Sequence, residues 1–169
     1  MDLLNNNLLY AASGAYGGDV SPARRAETAA GQHPKAVVIT CSDSRVIPEV
    51  IFGAGIGELF VVRTAGNVVG PAERASVDYA VRHLHVGTVL LLGHTGCGAV
   101  AAALSGETEG AVGVITRKIV RAIGKEKNPD AACVRNVRAS VRILRSFLPD
   151  GISVSGAVYD LASGTVSAV

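Results

Sequence analysis

Three features of the sequence predict an α/β fold, a mostly parallel central β-sheet flanked by helices, with an antiparallel strand at its C-terminal edge. Short apolar runs alternate with stretches of helical periodicity, the pattern of strand–helix–strand units. The runs at 36–40 (Ala-Val-Val-Ile-Thr) and 88–93 (Thr-Val-Leu-Leu-Leu-Gly) carry almost no polar residue, as strands buried on both faces do. The chain closes with a strand-like segment at 152–159, a turn at Ala162-Ser163-Gly164 and a last short run from Thr165 to Val169, which adds the antiparallel edge. With 169 residues, no internal repeat and no linker, residues 1–169 read as one domain whose core needs no covalent staples.

The elements follow in order. Residues 3–16 suggest a short helix with Leu3, Leu4, Leu8 and Tyr10 as its apolar side, ended by Gly14, Gly17 and Gly18 and lacking an obvious partner in its own chain. Ser21-Pro22 is a helix start, a capping hydroxyl followed by proline at the first helical position, and this helix runs to about Ala30. Arg24, Arg25 and Glu27 form its wet face. After the strand at 36–40 comes a short helical piece from Pro48 to Phe52, then Gly53-Ala54-Gly55-Ile56-Gly57. These glycines are a turn and not a dinucleotide loop, because their spacing is wrong and they precede a strand, Glu58 to Arg63, where the motif follows one.

Pro71 opens a helix with Val77, Ala80, Val81 and Leu84 at i, i+3, i+4, i+7, and Gly87 closes the stretch before the central strand. Residues 98–104 are helical, Ser105-Gly106 breaks them, and Val112, Ile115, Ile119 and Ile123 mark another helix. Beyond Asn128-Pro129, Asp130 is read as the cap of a long helix with Val134, Val137, Val141, Leu144 and Leu148 on one stripe. Its Arg135, Arg138, Arg142 and Arg145 form a solvated or interface face.

Both buried runs end abruptly in soft metal ligands. The central strand gives way to His94-Thr95-Gly96-Cys97-Gly98, and the strand at 36–40 to Cys41-Ser42-Asp43-Ser44-Arg45. His94 and Cys97, three apart, face one pocket if the strand turns there into a helix. Two cysteines and one histidine make a Cys₂His set, the donor set of a catalytic zinc with one position open. In an open α/β sheet, ligands bind at the carboxyl ends of parallel strands where strand order reverses, and both loops are expected there. Taken alone, the same three residues also suit a structural zinc site with Asp43 as a permanent fourth ligand. Cys133, the third cysteine, reads as a small core or surface residue.

Composition excludes other classes. The 49% hydrophobic and 18% charged residues, with mean hydropathy +0.35, are those of a globular chain and not a disordered one. A net charge of +2 with scattered basic residues and only 4% aromatics leaves no footprint for nucleic acid. No apolar run approaches the roughly 18 residues of a membrane span, so no membrane is expected, and Met1 to Asn7 lacks the basic flank of a signal peptide. A cytoplasmic setting follows, which also suits three cysteines read as thiol chemistry and not as a disulfide framework.

The paired motifs Cys41-Ser42-Asp43-Ser44-Arg45 and His94-Thr95-Gly96-Cys97-Gly98 resemble those of the β-class carbonic anhydrases. The likeness extends from about Leu3 to the C-terminal strands, through Gly57-Glu58-Leu59-Phe60-Val61-Val62-Arg63, Ala65-Gly66-Asn67 and Tyr79-Ala80-Val81. It implies that Cys41, His94 and Cys97 bind Zn²⁺ while Asp43 and Arg45 form the catalytic dyad beside it. It further implies a homodimer or a multiple of dimers, with Gln32, Phe60 and Tyr79 lining the substrate pocket across the interface and Ala65 where other members carry a larger apolar residue. One subgroup has a Trp three residues before the first cysteine as part of an accessory bicarbonate site. Here that position is Val38 and the chain has no Trp, so that form of regulation is not expected.

The activity implied is reversible hydration of carbon dioxide to bicarbonate and a proton by a zinc-bound hydroxide. Two thiolates neutralise the metal's charge and acidify its water less than three histidines would, and a hydrogen bond to Asp43 offsets part of that. Arg45 is then needed to keep Asp43 from becoming a ligand itself. Related proteins reuse such a site to hydrolyse carbon disulfide or carbonyl sulfide, a second reading. A catalytically inactive zinc-binding protein is a third, opposed by Arg45 and Gln32, which a structural site does not need. His33, His83 and His85 read as surface residues, one of them a candidate to relay protons to buffer. Arg63 and Asn67 either satisfy turn carbonyls or meet a partner subunit.

Overall fold

The structure, a computed structural model, describes residues 2–169. In chain order its elements are α1 (Leu3–Ser13), α2 (Pro22–Thr28), β1 (Ala36–Thr40), α3 (Pro48–Ile51), β2 (Leu59–Arg63), a 3₁₀ turn (Ala65–Asn67), α4 (Pro71–His83) and β3 (Thr88–His94). There follow α5 (Gly98–Leu104), α6 (Gly113–Ile123), α7 (Pro129–Arg145), β4 (Ser153–Tyr159) and β5 (Val166–Ala168). The five strands lie in the order β2-β1-β3-β4-β5. The first four are parallel, and β5 adds antiparallel to β4, pairing Tyr159 with Val166. The expected fold is the observed one.

The period-two alternation of each strand sorts its side chains onto two faces. On one face Val37, Ile39, Val89, Leu91 and Val154 pack with Val77 and Val81 of α4 and with Val137, Val141 and Leu144 of α7. On the other, Ala36, Val38, Leu90, Leu92 and Tyr159 meet Leu3 of α1 and Ile51 of α3. β1 is buried along its whole length and β3 from Val89 onward, as helices on both faces require. A third cluster holds Cys41, Cys97, Val100, Ile119, Ala132 and Cys133, and so walls the end of the sheet with α5, α6 and the start of α7.

Four expectations need correction. The cap of α7 is Asn128, whose side chain accepts the amide of Ala131; Pro129 takes the first helical position and Asp130 lies inside the helix. The second helix stops at Thr28 instead of reaching Ala30. The first stops at Ser13, where Gly14 turns left-handed with φ 67° and its N–H donates to Tyr10. That helix also has a partner in its own chain. Leu3 and Asn7 face inward while Leu4 and Leu8 stay exposed. Asn7 Nδ2 donates to the carbonyls of Ile51 (3.3 Å) and Gly164 (2.9 Å), and its Oδ1 accepts the amide of Val166 (2.7 Å). This buried asparagine ties α1 to α3 and to the edge strand, each polar atom paired as burial demands.

Gly93 fixes how closely α7 approaches the strand that ends in His94. A Cβ there would lie 2.5 Å from Val137 Cγ2. Gly93→Ala is therefore expected to destabilise the protein by about 1–3 kcal/mol through overpacking. Chemical denaturation checks this, and an unchanged midpoint would show that α7 does not seat against β3 in this way.

Candidate metal centre

β1 and β3 are adjacent, yet the chain leaves β1 towards β2 on one side and returns to β3 on the other. Strand order therefore reverses between them, and the loops beyond their carboxyl ends open a crevice. Cys41 is the first residue past β1, His94 the last of β3, and Cys97 caps α5. Gly96 has φ 62°, a left-handed turn that lets the chain pass from strand to helix in three residues. The three side chains are buried and their ligand atoms all lie within 4.8 Å of one another.

The site's hydrogen bonds set the donors' orientation. His94 Nδ1 is 2.8 Å from the carbonyl of Thr95, which fixes the tautomer with Nε2 unprotonated. That Nε2 is fully buried and makes no hydrogen bond. Thr95 is held in turn, its amide donating to Tyr159. Cys41 Sγ accepts the amides of Asp43 (3.4 Å) and Gly66 (3.2 Å) and lies 4.0 Å from Cys97 Sγ. The Cys41 thiol is pulled down to about 4, chiefly by the hydrogen bond from Cys97; burial opposes this, while His94 and the two amides add to it. The same contact pushes the Cys97 thiol up, against the amides of Val100 and Ala99 at the start of α5. The two sulphurs are close enough for one thiol to donate to the other, and holding a cation through both requires both to give up their protons.

A lone pair buried without a donor beside two such sulphurs is a set of bases waiting for a soft cation, and the Cys₂His donors fit zinc. Zinc is the cofactor of this class of protein.

Asp43 lies at the rim, Oδ2 3.9 Å from His94 Nε2. Arg45 grips it on both oxygens, Nε to Oδ1 at 2.9 Å and Nη2 to Oδ2 at 2.7 Å, and the Arg45 amide adds a third bond to Oδ1 at 3.0 Å. These bonds hold the Asp43 carboxyl well below the usual carboxylate range. Arg63 supports the loop from β2, donating to the carbonyls of Cys41 (3.2 Å) and Asp43 (2.7 Å). Of its two expected uses, the structure thus gives Arg63 the turn carbonyls.

The remaining expected residues are spread out. Ala65 opens the 3₁₀ turn next to Gly66. Phe60 is half-buried on β2, and its ring centroid lies 6.4 Å from that of Tyr79, which is 47% exposed on α4 and stacks on His83. Gln32 lies on the exposed stretch between α2 and β1. His33, His83 and His85 are exposed, and Cys133 is a core residue beside the ligand loops. Sequence reasoning named Gly66 only as part of the Ala65-Gly66-Asn67 likeness, without its contact to the site, and missed Asn136 altogether. Gly66, with φ 67°, donates to Cys41, and Asn136, buried on α7, donates from Nδ2 to the Gly66 carbonyl at 2.8 Å. The signal for Asn136 was a polar residue in the apolar stripe of a helix.

Fold and site together define an α/β protein with two cysteines and a histidine, a set that could hold a metal ion, grouped at the switch point of its sheet. Comparison with known proteins narrows the class. The family model for carbonic anhydrase matches residues 36–166. Carbonic anhydrase 2 of Mycobacterium tuberculosis is 48% identical over 100 residues, 59% of this chain and 48% of that protein, so the chain spans about half the length of that relative. A carbonic anhydrase of Pseudomonas aeruginosa is 35% identical, covering 89% of this chain and 81% of its own. Among solved structures, the β-carbonic anhydrase CafA of Aspergillus fumigatus superposes with a TM-score of 0.75 at 30% identity, over 88% of this chain and 81% of that one. The chain belongs to the carbonic anhydrase family, in its β class.

Proposed function

We propose that the protein catalyses the reversible hydration of carbon dioxide to bicarbonate and a proton at a zinc ion held by Cys41, His94 and Cys97. The observation that carries this reading is the Arg45 fork on Asp43 beside the three converging donors. A structural zinc site needs no such restraint, whereas a catalytic one must keep a nearby carboxylate out of its open position.

Zinc, when bound, makes a hydroxide nucleophile available near neutral pH by acidifying coordinated water. The chain's own residues do the rest. Arg45 occupies both Asp43 oxygens with charge-assisted bonds and so withholds the carboxylate from the metal. Asp43, held by Arg45, would then be placed to accept a hydrogen bond from the nucleophile and so orient it. Arg63 pins the loop that carries both Cys41 and Asp43, which fixes ligand and acceptor relative to each other. The Thr95 carbonyl keeps the proton of His94 on Nδ1, leaving Nε2 as the donor atom.

The pocket for carbon dioxide is assigned to Phe60, Ala65 and Tyr79, with Gln32 donating to a bicarbonate oxygen. Completing it requires a second subunit, and the working form in this reading is a homodimer or a multiple of dimers. Exposed Tyr79 and the uncovered Leu4, Leu8 and Leu9 of α1 support this, since large apolar side chains left in water mark an interface. Sedimentation at assay concentration is expected to show a dimer or larger; a fully active monomer would contradict it.

The reading also treats residues 1–169 as one zinc-binding domain and places it in the cytoplasm. Cys41, Cys97 and Cys133 are all free thiols, in keeping with a reducing compartment. No helix among the described residues is long and apolar enough to cross a membrane. Stopped-flow hydration of carbon dioxide by the purified protein tests the activity. Catalysis proportional to zinc content is expected, and a zinc-loaded protein with no rate above background would refute it.

A further inference from the structure

A cleft of about 480 Å³ opens between α6 and α7 beside Val68 and Val69. Val68, Val69 and Ile143 are apolar residues of its lining, which also includes three basic residues, Lys118, Arg121 and Arg142. Helix dipoles favour a cation in the last turn, which accounts for Arg121 on α6 and Arg142 on α7 taken singly. They do not account for both lining one cleft together with Lys118. Lys118 has Glu73 nearby, but neither Arg121 nor Arg142 forms an ion pair among the described residues.

The floor of the cleft is polar and leads to the metal ligands. Asn136, 2% exposed, and Ser140, 4% exposed, both line it. Asn136 donates to the Gly66 carbonyl at 2.8 Å, and the amide of Gly66 donates to Cys41 Sγ at 3.2 Å. One side chain and one residue of backbone therefore separate the cleft from a proposed zinc ligand. A displacement of Asn136 has little room to be absorbed, because Gly66 sits against Ile119 and Ala99 so tightly that a Cβ would lie 2.7 and 3.0 Å from them.

We propose that this cleft binds the phosphate group of a small metabolite, gripped by Arg121, Arg142 and Lys118, and that its occupancy is felt at the Gly66 amide. Two guanidinium-bearing side chains and an ammonium-bearing one in the lining of one cleft, with Asn136 and Ser140 beside them, supply the kinds of donor that phosphate oxygens take up. The site rests on the fold of α6 and α7 and not on the activity proposed above, so its failure would leave that reading untouched.

Inorganic phosphate titrated into the zinc-loaded protein at constant ionic strength, with chloride as the balancing anion, tests it by calorimetry. Saturable binding of one phosphate per chain is expected, weakened about tenfold or more in an Arg121→Gln, Arg142→Gln double variant that keeps its zinc. The ¹⁵N–¹H resonance of Gly66 is expected to shift with the same saturation curve in the wild type. Should the double variant fold poorly, Arg121→Gln alone changes an exposed side chain and is expected to weaken binding by about threefold or more. Absence of saturable binding, or equal affinity in variant and wild type, would overturn the site. Binding that leaves the Gly66 resonance unmoved would overturn the link to Cys41.

Discussion

A Cys97→Ser chain is expected to purify with roughly a tenth of an equivalent of zinc or less and to lose carbon dioxide hydration by on the order of a thousandfold or more. Cys97 is one of three donors, and a serine hydroxyl does not ionise to replace its thiolate. The remaining pair, Cys41 and His94, leaves a dication with one negative charge and two ligands. The substitution also places a hydroxyl in an apolar cluster shared with Val100, Ile119 and Cys133, so the melting temperature is expected to fall. Metal analysis at a temperature where circular dichroism shows native helix content separates the two effects. A Cys97→Ser protein that keeps both its zinc and its rate would remove Cys97 from the ligand set. Cys41→Ser is expected to behave alike, with the added loss of the acceptor for the amides of Asp43 and Gly66.

Arg45→Ala is expected to abolish activity in a different way, keeping the zinc. Without the fork, Asp43 Oδ2 is free at the rim, already 3.9 Å from His94 Nε2, while Oδ1 keeps only the backbone amide of residue 45. A free carboxylate beside a zinc ion with an open position becomes a ligand, and the site closes. A loss of about a hundredfold or more in kcat/KM, with zinc near one per chain, is the expected pattern. Arg45→Lys is expected to recover only part of the rate, since an ammonium cannot bridge both carboxylate oxygens. Arg45 is more than half exposed, so the folded state should tolerate both changes. Near-normal rates in Arg45→Ala would show that the pair does not govern Asp43. Loss of zinc would show that Arg45 acts by supporting the Cys41 loop.

How far these features were legible in the sequence depends on whether each is local. β1 and β3 could be read because both faces are buried, which leaves nothing but apolar residues in the run. The candidate ligands could be read because Cys41 and His94 end such runs and Cys97 follows three residues on, and the order of strands then brings two distant motifs together. The Arg45–Asp43 pair was legible through the resemblance to the β class, since a separation of two positions does not by itself imply contact. Asn7 could not be read, since its partners lie at Ile51, Gly164 and Val166 and only the assembled sheet brings them near. The same holds for Asn136, whose partner is 70 residues away. The misassigned cap of α7 was local and avoidable: Asn128-Pro129 repeats the logic of Ser21-Pro22, where the residue before the proline is the cap. Gln32, Phe60 and Tyr79 stand apart, because they were named from the resemblance alone and the periodicity of one chain carries no sign of a pocket shared with a second subunit.

The most direct test of the account is X-ray absorption at the zinc edge of the purified wild-type protein. Two sulphur neighbours at about 2.3 Å and at least one nitrogen at about 2.0 Å are predicted, with the remainder of a four-coordinate shell made of oxygen. A shell of oxygen and nitrogen alone, or one with a single sulphur, would contradict the assignment of Cys41, His94 and Cys97 as the metal's ligands.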